Sequence, residues 1–132
     1  MESMLKLLKK NVLTVKNVIV MDSDFNQVIS STLETIKNTL LVKSKEYVRN
    51  SDVFHNFHEG SKRSGLSREK VLDGFLLKHE ISISDMTNDL DKGILPTEDA
   101  VNEKFNDNIL YLLIKKAMIL DKINNQKKSL CK

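Results

Sequence analysis

Only one proline and four glycines occur in these 132 residues, so few positions can interrupt a helix. No internal repeat is present that would indicate a repeat architecture. Apolar residues instead recur at three- and four-residue spacing along extended segments, which is the pattern of amphipathic helices. We therefore predict an all-α fold, a helical bundle of three long helices plus one or two short ones.

Local sequence signals place the ends of the predicted helices. Asp, Ser and Asp at residues 22–24 and Ser67 are suitable N-terminal caps. Gly93 is suited to end a helix, and the Pro-Thr pair at residues 96–97 is suited to begin one. The predicted long helices span about 23–49, 67–93 and 97–123.

The remaining segments complete a predicted single domain of residues 1–132. Residues 1–22 are predicted to form an N-terminal arm, and residues 11–22 are rich in β-branched side chains, so they could form a short β segment that pairs with its own copy in a dimer. Residues 49–65 have no sustained period and are predicted to form an ordered loop with a short helical turn. The helical bundle is predicted to cover residues 23–123, and residues 124–132 to form a flexible tail.

Composition and charge limit the possible partners. Hydrophobic residues make up 40% and charged residues 30% of the chain, which is ordinary for a globular protein. The net charge of +3 comes from interspersed signs, which argues against a nucleic-acid partner. No segment has the roughly 20 apolar residues of a membrane span, and one cysteine permits no internal disulfide. We expect a cytoplasmic protein with no membrane partner.

Two carboxylates fall on a helix face that is otherwise apolar. Glu103 and Asp107 lie on the stripe of Leu110 and Ile114, so they are predicted to point toward the bundle interior. Buried carboxylates need a counterpart, because desolvation of each charge is costly. The counterpart is either a lysine or backbone amide, with exposure at the bundle end as a further alternative, or a divalent cation such as Mg²⁺.

Several stretches resemble known families. "EKFNDNILYLLIKKA" resembles the acid-containing helix of the MazG-like all-α nucleoside triphosphate pyrophosphohydrolases. Between residues 38 and 120, "KSKEYVRNSDVFHNF", "GFLLKHEISISDM" and "EKFNDNILYLLIKKA" resemble small phage and prophage proteins related to the nucleotide-modification-associated domain. The resemblance implies a helical bundle, often dimeric, with an ancestral connection to phosphorylated nucleotides.

The MazG-like pattern has a second acidic pair on the preceding helix, and this chain departs from it. His79, Ser82 and Asp85 occupy that spacing, so half of the expected metal site is missing. The resemblance implies that Mg²⁺ would be held by Glu103, Asp107 and Asp85. A two-metal mechanism that activates water would need one more acid.

The second group of candidate residues lies before and within the second long helix. Basic side chains beside the free amides of a helix start can bind phosphate, although a polar surface loop is an equal interpretation. His79 is either a ligand or a core residue bonded to a neighbouring carboxylate, and Lys78 either reaches a phosphate or pairs with Asp85. The candidate ligand-binding residues are His55, Asn56, His58, Lys62, Arg63, Lys78 and His79.

These observations lead to three functional hypotheses. The first is a non-catalytic phage or prophage accessory protein, forming a homo-oligomer, that binds a nucleotide-like phosphorylated ligand or a host protein and counters host defence. The alternative is a Mg²⁺-dependent pyrophosphohydrolase acting on (deoxy)nucleoside triphosphates. The second alternative is a helical module that binds only protein.

Overall fold

The computed structural model describes residues 23–47 and 52–131. Within these ranges it contains four helices and no strand, and 87% of the residues are helical. Three helices are long and one is short, which confirms the predicted all-α bundle. The helices are α1 (Ser23–Tyr47), α2 (His55–Ser64), α3 (Arg68–Asp91) and α4 (Glu98–Leu130). The predicted β segment at 11–22 lies outside the described residues.

The starts of α3 and α4 follow the predicted capping chemistry. The Ser67 hydroxyl accepts a hydrogen bond from the Lys70 amide at 3.3 Å, and the Thr97 hydroxyl accepts one from the Ala100 amide at 3.2 Å. Each cap satisfies an amide that has no partner within its helix. Gly93, at φ 77°, follows the end of α3 in the left-handed conformation that favours glycine.

Two helix boundaries differ from the sequence prediction. Residues 55–64, predicted as a loop with a helical turn, form the three-turn helix α2, which ends at Gly65 with φ 74°. Phe57 packs against the core and holds this helix in place. Helix α4 continues to Leu130, so the predicted tail from residue 124 is largely helical. No proline or glycine follows Pro96 in the sequence to stop it, and Lys127 and Lys128 suit the negative end of a helix.

Helices α3 and α4 form an antiparallel pair, and α2 packs on α3. Arg68, at the start of α3, contacts Asp121 near the end of α4, whereas His79 farther along α3 stacks on Tyr111. The chain divides into two compact units between Glu34 and Thr35, inside α1, and α2, α3 and α4 belong to the second unit.

The core of the α2–α3–α4 assembly is small and apolar. Leu72, Leu76 and Met118 are buried together, and four partly buried side chains pack against them. The alternation of these residues at three- and four-residue spacing is what the sequence predicted for α3 and α4. The four packed residues are Phe54, Phe57, Tyr111 and Ile114.

Candidate functional site

The guanidinium of Arg68 is the centre of a charged network that joins α2, α3 and α4. Its Nε donates to Glu69 at 3.0 Å, and its Nη2 donates to Asp121 and to the carbonyl oxygen of Met118, both at 2.9 Å. Its Nη1 lies 3.0 Å from Nε2 of His58. The side chain is only 14% exposed, so these partners replace most of its water. Arg68 is therefore committed to internal contacts.

The network continues from His58 to Asp52. Nδ1 of His58 lies 2.6 Å from Oδ2 of Asp52, and the amide of Phe54 donates to Oδ1 of the same carboxylate at 3.0 Å. Because Arg68 can only donate, Nε2 of His58 must accept, and Nδ1 must carry the proton that is given to Asp52. The imidazole therefore has both nitrogens engaged, so it is not poised as a general base.

The charges of this network set the protonation of its members. Burial acts to raise the pKa of Asp52, but the hydrogen bonds from His58 and the Phe54 amide outweigh it and hold the pKa below its ordinary value of 3.8. Burial also acts to raise the pKa of Glu69, but the hydrogen bond and positive charge of Arg68 outweigh it, so the pKa is lowered. The pKa of Arg68 is raised by Glu69 and Asp121 despite the opposing effect of burial. Asp52, Glu69 and Arg68 therefore stay charged near neutral pH.

An open cleft of about 440 Å³ borders this network. Its volume is within the range of small-ligand sites, roughly 300–1,000 Å³. Its charged lining is balanced, because Arg68 and Lys122 face Glu69 and Asp121. The cleft has polar walls without a net excess of positive charge. It is also lined by His58, Ser61, Asn125, Gln126 and Ser129.

A ladder of four rings crosses from α2 through α3 and α4. Phe57 meets Phe75 edge to face at 5.9 Å between ring centroids, and Phe75 stacks on Tyr111 at 5.8 Å. Tyr111 in turn stacks on His79 at 5.2 Å. Such ring pairs contribute about 0.5–1.5 kcal/mol each beyond area burial. The ladder fixes the positions of three helices relative to one another.

A second, smaller pocket of about 110 Å³ lies beside the ladder. Phe75 and Val53 are wall residues that remain partly open to solvent, and Asn56 contributes the one amide side chain of the lining. The walls therefore suit an apolar group, with one amide available for orientation. The other lining residues are Phe57, Leu110, Tyr111 and Ile114.

His79 occupies the apolar arc of α3, as predicted, but without the predicted carboxylate. Its Nδ1 atom is buried and has no hydrogen-bond partner in the described part of the chain. The predicted bond from His79 to a neighbouring carboxylate is therefore wrong for this nitrogen, and the ring packs nearly flat against Tyr111. His79 is a half-buried member of the aromatic ladder.

The predicted metal ligands are not gathered into a cluster. The Glu103 side chain is 63% exposed and its carboxylate lies 3.2 Å from Nζ of Lys104, so the prediction that it points inward is wrong. Asp107 is half-buried and Asp85 is exposed. Among residues 23–47 and 52–131, no three His, Cys, Asp or Glu side chains are placed to hold a metal ion. The exposed side chain of Glu103 agrees instead with the alternative of exposure at the bundle end.

The predicted ligand residues separate into different surroundings. His58 lines the polar cleft and Asn56 lines the apolar pocket. Lys62 and Arg63 lie in the last turn of α2, where Lys62 pairs with Glu59 at 2.9 Å, and not at the start of α3. His55 begins α2, and Lys78 is exposed on α3.

Several residues of both sites were not singled out from the sequence. Arg68 had a usable signal, because it lies one turn before Leu72 on the apolar arc of α3. Asp52 had a weaker one, since an aspartate before a helix often accepts from nearby amides. Asp121 and Tyr111 had none, because their roles depend on which turn of α4 meets which turn of α3.

Comparison with known protein families, curated proteins and solved structures finds no match to this chain. The resemblance to phage proteins and to the MazG-like group therefore stays a prediction. A search of the described helices for one with the length and hydropathy of a membrane span finds none.

Proposed function

We propose that this protein is a non-catalytic helical module that binds another protein by holding one large apolar side chain of its partner in the pocket between α2, α3 and α4. The observation that carries this proposal is the size of that pocket. At about 110 Å³, it is well below the roughly 300–1,000 Å³ of sites that enclose a cofactor or nucleotide. It is close to the roughly 150 Å³ of an apolar cavity that holds a benzene-sized group.

The walls of the pocket support a protein partner as well. Protein interfaces depend on a few apolar anchors that enter well-packed pockets, often beside aromatic side chains. Phe75 and Tyr111 form such a wall, and the ring ladder makes it rigid. Asn56 at the rim can pair with a polar group next to the anchor. A rigid pocket loses little entropy when it binds.

A catalytic role has less support from the same residues. The two nitrogens of His58 are engaged by Asp52 and Arg68, so the most base-like group has no free lone pair. The pyrophosphohydrolase hypothesis requires a cluster of acids, and the described residues contain none. That hypothesis and the Mg²⁺ site of Glu103, Asp107 and Asp85 remain untested predictions.

The nucleotide-binding hypothesis has one observation in its favour, the volume of the polar cleft. A phosphate there would meet Lys122, but Arg68 is already neutralised by Glu69 and Asp121. The charge that a phosphate requires is therefore mostly used inside the protein. For this reason we place the nucleotide-like ligand second to a protein partner, and an accessory role in a phage stays a prediction.

Selection from a displayed library of helical peptides tests the proposal. Binders selected against the wild-type protein are expected to share one large apolar position. Their affinity is expected to fall at least about tenfold, or 1.4 kcal/mol, in Val53→Phe, which fills the pocket mouth. Val42→Phe is the matched control, because Val42 is an exposed valine on α1 outside the pocket. Equal binding by both variants would overturn the proposal.

A thermal-unfolding screen with nucleoside triphosphates and Mg²⁺ separates the second candidate. Ligands that bind the folded state raise the unfolding temperature. We expect no shift. A shift that disappears in Lys122→Ala would assign the polar cleft to a phosphorylated ligand and would move that function ahead of the protein-binding one.

A further inference from the structure

Helix α4 carries a second apolar face that α3 does not cover. Its inner face contributes the buried residues Leu110 and Met118 to the core. On the side away from α3, large apolar side chains remain exposed, and Leu112 is 49% accessible. A contiguous exposed apolar face of this kind marks an interaction surface. We name it the outer seam, and its residues are Phe105, Ile109, Leu112, Lys116, Ile119 and Ile123.

The spacing of the outer seam indicates what kind of surface covers it. Its six positions follow one another at intervals of four, three, four, three and four residues. That is the 3.5-residue period of a coiled coil, sustained from Phe105 to Ile123, and it matches a partner that is itself a helix. Lys116 is the one charged residue in the seam, which is a common device for fixing the orientation of two helices.

The charges of α4 are divided between its two ends. Residues 98–107 contain four carboxylates and one lysine, whereas residues 115–128 contain five lysines and one carboxylate. A second α4 laid antiparallel brings the acidic half of each helix beside the basic half of the other. A parallel arrangement brings like charges together along the whole contact, which is unfavourable. The helix is therefore complementary in charge to its own reversed copy.

The seam positions agree with the same orientation. In an antiparallel pair centred near Ile114, Phe105 faces Ile123 and Ile109 faces Ile119 of the other copy. Lys116 then faces Leu112, so that its stem covers apolar surface while its ammonium reaches water. In a parallel pair, Lys116 would face its own copy inside the seam, with two charges in one layer.

The flanking positions add an ion pair to this arrangement. In the heptad of the outer seam, Asp99 and Lys127 both occupy the same flanking position beside the seam. An antiparallel pair brings flanking positions of this type opposite each other, so Asp99 of one copy meets Lys127 of the other at each end. A two-fold axis repeats every such contact, as a self-complementary interface requires.

We infer that two copies of this chain associate through the outer seams of their α4 helices, packed antiparallel about a two-fold axis near Ile114. The seam shares no residue with the apolar pocket, so this inference goes beyond the proposed function and is tested independently of it. It differs also from the dimer that the β-branched segment 11–22 suggested.

Mass measurement in solution tests the association. Sedimentation equilibrium at micromolar concentration is expected to give twice the 15.1 kDa of one chain. Leu112→Lys places a second positive charge opposite Lys116 of the other copy in each layer, and it is expected to give the single-chain mass. Leu77→Lys is the matched control, because Leu77 is an exposed leucine on α3 outside the seam, and it is expected to keep the double mass. A single-chain mass for the wild type, or a double mass for Leu112→Lys, would overturn the inference.

The native cysteine gives the orientation without any substitution. Cys131 is exposed immediately after α4 and is the only cysteine in the sequence. At 1.5 Å per residue, spin labels on the two copies are expected about 50 Å apart in the antiparallel pair, whereas a parallel pair would bring them within about 15 Å. This pulsed electron paramagnetic resonance measurement uses the wild-type fold, so it tests the orientation even if Leu112→Lys fails to fold. A short distance, or no interaction between labels, would refute the antiparallel seam.

Discussion

Nη2 of Arg68 donates a 2.9 Å hydrogen bond to the main-chain carbonyl of Met118, fifty residues farther along the sequence. This carbonyl belongs to the middle of α4, and its second lone pair is available after the helix has used the first. The contact joins the first residue of α3 to α4 without depending on a partner side chain. It fixes the turn of α4 that faces the start of α3.

Replacement of Arg68 by methionine is expected to destabilise the fold strongly. Methionine keeps the apolar stem but leaves the Glu69 and Asp121 carboxylates without their shared cation. We expect the free energy of unfolding to fall by about 2–4 kcal/mol, since a partly buried charge loses its partner. Urea unfolding measures this change. Arg63→Met, at an exposed arginine in the last turn of α2, is the control and should change stability by less than about 0.5 kcal/mol. Similar losses in both variants would contradict a clamping role for Arg68.

Acidification is expected to weaken the fold through Asp52. Its pKa is lower in the folded protein than its ordinary value of 3.8, so the stabilisation is present above that value and is lost as the pH falls through the folded pKa. Asp52→Asn keeps an acceptor for His58 but carries no charge. Wild type should therefore be the more stable protein at about pH 7, and the difference should shrink toward about pH 3. Urea unfolding of both proteins across this range tests the prediction, and a constant difference would rule out Asp52 as the titrating group.

The helix caps could be predicted from the sequence, whereas the contacts of the Arg68 network could not. The caps Ser67 and Thr97 act within four residues of themselves, so local chemistry was enough to place the starts of α3 and α4. Arg68 and Asp121 meet only because α3 and α4 pack in one particular register, which no local pattern specifies. Glu103 shares the helical stripe of Leu110, but periodicity does not tell how much of a side chain the packed helices cover, and 63% of the Glu103 side chain is exposed. Residue spacing thus predicts which face of a helix a side chain lies on. Its burial and its partners on other helices depend on how the helices pack.

Gly60 and Gly74 are expected to respond in opposite directions to alanine. A Cβ at Gly60 would lie 2.8 Å from Cγ1 of Val71, where α2 crosses α3. Valine is stiff at χ1, so the helices must separate, and we expect a loss of about 1–2 kcal/mol after the gain in helix propensity. Gly74, on α3, has open space around its Cα. Gly74→Ala should therefore raise the free energy of unfolding by about 0.5–1 kcal/mol.

The stabilities of the Gly60→Ala and Gly74→Ala variants are measured by thermal and urea unfolding under identical conditions. Because both substitutions add the same methyl group to a helix, their difference reports the closeness of α2 to α3. Equal stabilisation by both would mean that α2 does not pack on α3 at the described distance.

Replacement of His79 by phenylalanine is expected to stabilise the protein. The buried Nδ1 of His79 has no hydrogen-bond partner in the described ranges, so the folded state leaves a polar atom desolvated and unpaired. A phenyl ring keeps the stack on Tyr111 and removes that atom. We expect the free energy of unfolding to rise by about 1 kcal/mol, measured by urea unfolding. His55→Phe, at the half-buried start of α2, makes the same chemical change away from the ladder and should alter stability by less than about 0.5 kcal/mol. A loss of stability in His79→Phe alone would mean that the imidazole makes a polar contact, with water or a ligand, that the hydrocarbon ring cannot replace.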